Sequence, residues 1–194
     1  MNTLENMRFG EERALYASRA LTLQNCRFEG AEDGESALKE SAEILARDCF
    51  FDLRYPLWHV RGARLERCEM TQNCRAALWY DKDVTISGCT MNGIKAVREC
   101  ADVHVADTHI SSPEFGWKSR GIVLENSSLD SEYAFFGSRG IRASGLRFEG
   151  KYSFQYTHDV RIEMSELHTK DAFWHAKNVT VTDSEVDGEY LGWY

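Results

Sequence analysis

The chain of 194 residues is acidic, with 23 Lys and Arg residues against 31 Asp and Glu residues and a formal net charge of −8. This charge argues against a sequence-independent grip on nucleic acid or on an anionic membrane surface, so we expect neither as a partner. Hydrophobic residues make up 43% of the chain and only two residues are Pro, which indicates one globular domain over residues 1–194 rather than a disordered chain.

The amino terminus carries no targeting signal that we recognise. Its first ten residues have no basic start followed by an apolar run, so they do not resemble a signal peptide. No stretch approaches the roughly 18 apolar residues of a membrane span. We therefore expect a cytoplasmic protein whose six Cys residues are reduced thiols.

A repeat of about 19 residues organises the chain from residue 20 onward. One anchor residue recurs in each repeat, with spacings of 23, 19 and 21 residues and then of 19 residues five times. The anchors are Cys26, Cys49, Cys68, Cys89, Thr108, Ser127, Leu146, Ser165 and Ser184. Apolar residues lie five and three residues before each anchor and two residues after it, with polar residues between them. This alternation is typical of strands with one buried face.

Turn residues punctuate the repeats at fixed places. Asp, Gly or Asn lies six residues before most anchors and again directly before most anchors, and these types tolerate left-handed backbone. Three short strands and three corners per repeat describe one coil of a β-solenoid, whereas the frame of a leucine-rich repeat is absent. We therefore predict an all-β fold, a right-handed single-stranded parallel β-helix of about nine to ten coils stacked about 4.8 Å apart.

A third strand is expected eight to thirteen residues before each anchor. The column eleven residues before the anchor, which includes Leu57 and Leu78, has the composition of a core. By alternation the next column points outward. It contains Trp58, Trp79, Trp117, Trp174 and Trp193. A uniform Ala column that includes Ala77 argues the other way, because if Ala77 points inward, strict alternation turns the Trp column inward too.

Outward-facing Trp rings would suit stacking against sugar rings or packing under a protein partner. His59 and Tyr156 lie in the neighbouring column and join the five Trp residues as candidate ligand-binding residues. The alternative is structural, with the rings stacked as a buried ladder or covered by a loop or a neighbouring subunit. We favour a binding or scaffold protein that presents this face to a carbohydrate or a protein partner.

An enzyme is the second hypothesis, and it depends on a polar cluster on the same face. Tyr80, Glu99 and Lys118 fall on successive coils with Arg98 beside them. In a polyuronate lyase or a glycosidase, such groups neutralise a substrate carboxylate and move a proton. These four residues and His175 are therefore the candidate catalytic residues, although a salt-bridged surface ladder would show the same pattern.

The cysteines point to structure rather than to a metal site. The four Cys anchors occupy an inward column and are interpreted as small buried side chains. Cys74 and Cys100 lie outside this column, so we expect them to be the exposed thiols. No recurring Asp cluster and no Cys-x-x-Cys motif is present, and no nucleotide-binding Gly loop follows a strand, so we expect neither a metal nor a cofactor.

Six short motifs resemble those of a bacterial protein family. They are ERAL (12–15), GESALKES (34–41), YPLW (55–58), RAALWY (75–80), KDAFW (170–174) and GEYLGW (188–193). Through these motifs the chain is similar, over nearly its whole length, to domain of unknown function 3737 in the pectate-lyase-like β-helix group. The resemblance implies a parallel β-helix and no established activity.

The chain departs from this family at its carboxyl end. Family members usually continue past GEYLGW with further coils, whereas this sequence stops at Tyr194 within a coil. An unfinished coil leaves strand edges open to pairing with another chain. We therefore expect either a homo-oligomer formed through the open carboxyl-terminal coil or a shortened form of the protein.

Overall fold

The computed structural model describes residues 2–193, which form 23 β-strands and contain no helix. Among these residues there is consequently no helix of the length and apolarity that crossing a bilayer requires. Tyr194, the residue on which the expectation of an open carboxyl-terminal coil rests, lies outside the described residues.

The first long sheet has ten parallel strands, each supplied by one coil. They are β1 (Asn2–Glu5), β3 (Arg19–Gln24), β5 (Ala42–Arg47), β8 (Arg61–Glu66), β11 (Lys82–Ser87), β14 (Ala101–Ala106), β16 (Arg120–Glu125), β18 (Arg139–Ser144), β20 (His158–Glu163) and β22 (Lys177–Thr182). Each strand between β1 and β22 pairs with the strand of the coil before it and with the strand of the coil after it.

The second long sheet repeats this arrangement with shorter strands. They are β2 (Arg8–Phe9), β4 (Arg27–Phe28), β6 (Phe50–Phe51), β9 (Glu69–Met70), β12 (Thr90–Asn92), β15 (His109–Ser111), β17 (Ser128–Asp130), β19 (Arg147–Lys151), β21 (Glu166–Lys170) and β23 (Glu185–Asp187). A short third sheet contains β7 (Leu57–Trp58), β10 (Leu78–Trp79) and β13 (Val97–Arg98). The fold is the predicted all-β parallel β-solenoid, with about ten turns.

The strand register confirms the apolar columns of the repeat. Leu21 pairs with Ile44 in the first long sheet, and Phe28 pairs with Phe51 in the second. All four side chains are buried. The sequence alignment missed a first turn, formed by residues 2–9, in which Phe9 pairs with Phe28 and stacks on it at 5.0 Å between ring centroids.

Left-handed backbone forms the predicted corners. Gly121 has a φ of 65° six residues before its anchor, and Asn126 has a φ of 46° directly before the same anchor. Two further left-handed columns, nine and thirteen residues before the anchor, flank the third face and include Tyr80 (φ 57°) and Tyr55 (φ 52°). Such values are uncommon in residues other than Gly, and they turn the chain sharply between faces.

The anchors line the interior as expected, with buried, unbridged thiols at the four Cys anchors. They also form hydrogen bonds, which the sequence did not indicate. The amide of Cys68 donates to Sγ of Cys89 at 3.2 Å, and the amide of Cys89 donates to Oγ1 of Thr108 at 3.2 Å. A thiol or hydroxyl at the anchor therefore accepts a hydrogen bond from the preceding coil, which explains why Cys, Thr and Ser interchange there.

The prediction that Cys74 and Cys100 are exposed is wrong. Their exposed fractions are 0% and 2%. Cys74 follows a short insertion and directs its Sγ to the carbonyl of Phe51 at 3.0 Å. Cys100 belongs to an interior column eight residues before the anchor, and burial raises the pKa of its thiol.

Candidate functional site

The Trp column faces outward although the Ala column faces inward. Ala77 and Leu78 are both fully buried, whereas the next residue, Trp79, is partly exposed. Strict alternation requires extended backbone, and here the left-handed residue Ala76 (φ 44°) stands directly before the pair. The expectation that an inward Ala column would turn the Trp column inward is therefore wrong. The structure has the Ala column inside and the Trp column outside.

We define the aromatic face as two adjacent columns, ten and nine residues before the anchors, that run along the solenoid. The first column contributes Trp58, Trp79, Trp117, Phe136, Trp174 and Trp193, and the second contributes His59, Tyr80, Glu99, Lys118, Tyr156 and His175. Every candidate site residue of the sequence analysis lies on this face or, as Arg98 does, interrupts its Trp column.

The Trp rings stack on one another rather than standing free. Trp58 and Trp79 are 4.9 Å apart at an interplanar angle of 15°. Nζ of Lys39 lies 3.5 Å from the ring centroid of Trp58, and the guanidinium of Arg98 lies 6.0 Å from that of Trp79. Because neighbours cover both flat surfaces of this pair, the pair exposes ring edges toward solvent.

Similar stacks continue toward the carboxyl end. Trp174 and Trp193 are 5.4 Å apart at 12°, and Tyr156 stacks on His175 at 4.7 Å and 19°. Tyr156 also contacts Phe136 at 5.4 Å, and Phe136 contacts Trp117 at 5.1 Å. Arg98 and Glu99 replace the rings on the coil between Tyr80 and Trp117 and interrupt the series there. The aromatic face is therefore a series of short stacks, not one continuous ladder.

The indole N–H groups differ along the face. Trp117 donates to the carbonyl of Tyr133, and Trp174 donates to the carbonyl of Tyr190 at 2.9 Å. The N–H groups of Trp58 and Trp79 are buried and have no acceptor among residues 2–193. An unsatisfied buried donor costs free energy, so these two residues are less favourably placed.

The polar cluster is centred on Glu99. Nε of Arg98 lies 3.0 Å from Oε1 of Glu99, and the Tyr80 hydroxyl and the same carboxylate are close enough to shift each other's pKa. Desolvation raises the pKa of Glu99, but the hydrogen bonds from Tyr80 and Arg98 and the charge of Lys118 outweigh it, so this pKa lies below its usual value. The bond to Glu99 raises the pKa of Tyr80.

A second carboxylate lies further along the same column. Nδ1 of His59 is 2.8 Å from Oε1 of Glu40, and the His59 ring is 5.2 Å from that of Tyr80. Glu40 and Glu99 are three coils apart, or about 14 Å at the spacing of parallel strands. Glycosidase carboxyl pairs are about 5–10 Å apart, so the backbone spacing of this pair is longer than that chemistry uses.

Asp81 is a buried carboxyl group that sequence reasoning missed. Its Oδ1 accepts the amide of Val60 at 2.7 Å, its Oδ2 has no partner among the described residues, and its exposed fraction is 1%. Desolvation raises the pKa of Asp81 well above its usual value. The available signal was its position eight residues before the anchor, where the other coils carry Ser, Thr, Val, Cys or Ala.

Residues 2–193 contain no group of three or more His, Cys, Asp or Glu side chains arranged to hold a metal ion. On this face, His59 pairs with Glu40, Arg98 pairs with Glu99, and Tyr156 stacks on His175. What the face offers to a ligand is therefore aromatic edges, two exposed phenols and a row of hydrogen-bonding groups.

The fold is similar to that of PfbA, a surface adhesin of Streptococcus pneumoniae, with a TM-score of 0.50 and 8% sequence identity. That match covers 97% of this chain and 60% of PfbA, so the chain spans less than two thirds of the length of that relative. At such identity the similarity shows the fold alone.

Other structures also match, with scores too low to carry an argument. They include QnrB1, a plasmid-mediated fluoroquinolone resistance protein (TM-score 0.29, 13% identity, 96% of this chain and 91% of that one), and a putative glycosyl hydrolase from Parabacteroides merdae (TM-score 0.23, 8% identity, 97% and 81%). No curated protein matches the sequence. A family described as "Protein of unknown function (DUF3737)" matches residues 2–194.

Proposed function

This chain belongs to the family of proteins of unknown function DUF3737, and from that premise we propose that it is a binding protein whose aromatic face holds a carbohydrate. The observation that carries the proposal is the pairing of exposed aromatic rings with hydrogen-bonding groups on a regular scaffold. Tyr80 and Tyr156 are 43% and 49% exposed, and Glu99 and Lys118 lie between them in the same column.

Sugars are recognised by aromatic contacts to their C–H surfaces together with polar contacts to their hydroxyl groups. Most coils of the aromatic face carry both kinds of group, and successive coils are about 4.8 Å apart. The stacked Trp residues form a stiff floor, and the exposed phenols and charged groups of the neighbouring column stand beside it. This arrangement suits an extended saccharide that lies along the solenoid axis.

The pKa directions favour binding over acid–base chemistry. A carboxyl group that acts as a general acid near neutral pH needs a raised pKa, and a phenol that acts as a base needs a lowered one. Hydrogen bonds from Tyr80 and Arg98 lower the pKa of Glu99 against its desolvation, and the bond to Glu99 raises that of Tyr80. Both shifts run opposite to those requirements.

The test is a saccharide panel, containing neutral and acidic oligosaccharides, read by calorimetric titration. We expect at least one saccharide to bind and the Tyr80→Ala, Tyr156→Ala double variant to weaken its binding at least tenfold. Phe50→Ala is the control, because Phe50 is a partly exposed aromatic residue of the second long sheet. Binding that survives loss of both phenols, or a panel without any binder, would contradict the proposal and leave a protein partner as the better candidate.

A further inference from the structure

A column of mostly basic side chains runs beside the aromatic face. Its residues lie seven positions before the anchors. Strand pairing places these residues in one register from β3 to β22. They are Arg19, Ala42, Arg61, Lys82, Ala101, Arg120, Arg139, His158 and Lys177. In an acidic protein, seven of the nine positions of this column carry a basic side chain.

The carboxyl-terminal part of this column, which we call the cationic row, consists of Arg120, Arg139, His158 and Lys177 on four successive coils. All four residues are exposed, and no ion pair to any of them is found among residues 2–193. Elsewhere on the surface, Arg residues usually have a carboxylate, as Arg161 does with Glu163 at 2.9 Å.

The residues around the cationic row compensate its charge only in part. Gly121 and Gly140 follow Arg120 and Arg139 at a position where Glu43, Asp83 and Asp102 stand in other coils. Asp102, whose carboxylate lies beside Gly121, and Asp159, which follows His158 and accepts a hydrogen bond from Asn178 at 3.0 Å, are the negative charges next to the row. On the other side, a single buried residue, Ser119, separates Arg120 from Lys118 of the aromatic face. The row therefore forms a local basic strip directly beside the proposed sugar-binding face.

The spacing of the row is a poor match to an extended acidic peptide. One cation per coil means one charge about every 4.8 Å. Such a peptide presents like side chains on one face only every second residue, at about 6.6–6.8 Å, and drifts out of register within a few coils. The adjacent aromatic face, with its exposed rings of Tyr80 and Tyr156, is what favours a sugar backbone.

We propose that the cationic row binds a linear polysaccharide that carries an anionic group, a carboxylate or a sulfate, on each sugar. This inference rests on the proposed function and specifies the chemical class of its ligand. The polymer lies along the solenoid with its anionic groups toward Arg120, Arg139 and Lys177 and its ring surfaces toward Tyr156 and Lys118 of the aromatic face. Charge attraction acts locally despite the net negative charge, because salt screens charges more than about 10 Å away at 0.1 M.

The test compares two double variants that remove the same net charge. Arg120→Gln with Arg139→Gln alters the row, and Arg27→Gln with Arg147→Gln alters exposed, ion-paired residues of the second long sheet. In calorimetric titrations with alginate oligomers and with low-mass dextran sulfate, we expect about tenfold weaker binding for the row variant and a change below twofold for the control. Binding by the wild type should weaken steadily as NaCl is raised.

Several results would overturn this proposal. Equal losses in the two double variants would mean that net charge alone is sensed, and equally tight binding of poly-glutamate or of oligothymidylate would mean that a sugar backbone is not required. If a neutral oligosaccharide binds through Tyr80 and Tyr156 while the row variant changes nothing, this inference fails and the proposed function stands. If the anionic polymers bind through the row without need of those phenols, the cationic row is supported and the aromatic site fails.

Discussion

The third face of the solenoid is built in two different ways along its length. In the coils of Leu57 and Leu78, the residue eleven positions before the anchor donates its amide to the following coil, at 3.1 and 2.9 Å. From Gly116 onward the equivalent amide donates to the preceding coil, as those of Gly116 and Phe135 do at 2.8 and 2.7 Å. The first arrangement forms the short sheet of β7, β10 and β13. In the second, the residue eleven positions before the anchor is itself left-handed and no short strand forms there among the described residues.

Where the amide of the residue eleven positions before the anchor donates to the preceding coil, that residue has a positive φ. Gly116 has a φ of 75°, and Phe135, Phe154 and Phe173 have values of 62°, 56° and 60°. The left-handed conformation costs roughly 1–2 kcal/mol per residue other than Gly. Stacking of the three Phe rings inside the solenoid, at 4.8 and 5.0 Å, offsets part of that cost.

The two arrangements differ in whether the indole N–H groups of the outward Trp residues donate a hydrogen bond. Where the turns are left-handed, the indoles of Trp117 and Trp174 find carbonyl acceptors sixteen residues further along the chain. Where the short sheet forms, the indoles of Trp58 and Trp79 find none among the described residues. Coils of the same length thus adopt two backbone conformations on the third face, with different hydrogen bonds. Substitutions can destabilise each conformation separately.

The largest expected effect is loss of the internal Phe stack. Phe154 is fully buried between Phe135 and Phe173, so Phe154→Ala should lower the free energy of unfolding by about 4 kcal/mol. Leu78→Ala, the equivalent truncation in the short-sheet part, should cost about 3 kcal/mol. Chemical denaturation followed by circular dichroism measures both. A larger loss for Leu78→Ala would show that the Phe stack does not compensate the left-handed turns.

A methyl group at the junction between the two parts should be the next most damaging change. A Cβ at Gly116 would lie 2.7 Å from the Phe135 ring at a φ of +75°, so we expect Gly116→Ala to cost about 3 kcal/mol. Gly137→Ala is the matched control, since Gly137 is also left-handed but its Cβ would meet nothing nearer than 3.8 Å. The control should cost about 1 kcal/mol. Equal losses would rule out crowding at the junction.

The buried carboxyl of the short-sheet part makes stability depend on pH. Because burial raises the folded-state pKa of Asp81, its contribution is fully present below the unfolded pKa, about 3.9, and is lost as pH rises through the folded value. Asp81→Asn should therefore differ little from wild type near pH 4 and be more stable by about 2 kcal/mol at pH 8. Melting curves at both pH values measure this, and a stabilisation that is equal at pH 4 and pH 8 would contradict it.

The smallest expected difference concerns the indole N–H groups. Trp117→Phe removes a hydrogen bond to the Tyr133 carbonyl, whereas Trp79→Phe removes a donor that has no acceptor. The first variant should be less stable than the second by about 1 kcal/mol. Denaturation of the two variants in parallel measures it, and equal stabilities would show that the indole hydrogen bond contributes nothing net.

Much of the candidate site was predictable from position within the repeat. Equivalent positions on successive coils become neighbours, so Tyr80 and Glu99 could be placed together without a structure. The burial of Cys100 was not predicted, because an interior column eight residues before the anchor has no apolar signature when Ser and Thr occupy most of it. The burial of Asp81, which lies in the same column, was not predicted for the same reason.

By itself, the sequence determined which residues share a column, where the corners lie and that the strands stack in parallel, because these follow from local alternation and from a nearly constant period. The tertiary structure alone decided the orientation of the peptide before Gly116, the outward direction of Trp79 beside two buried neighbours, and which Arg residues lack a carboxylate. Each of these depends on the coil above or below. In a parallel stack the partner of every residue lies about one repeat away, so no local pattern contains that information.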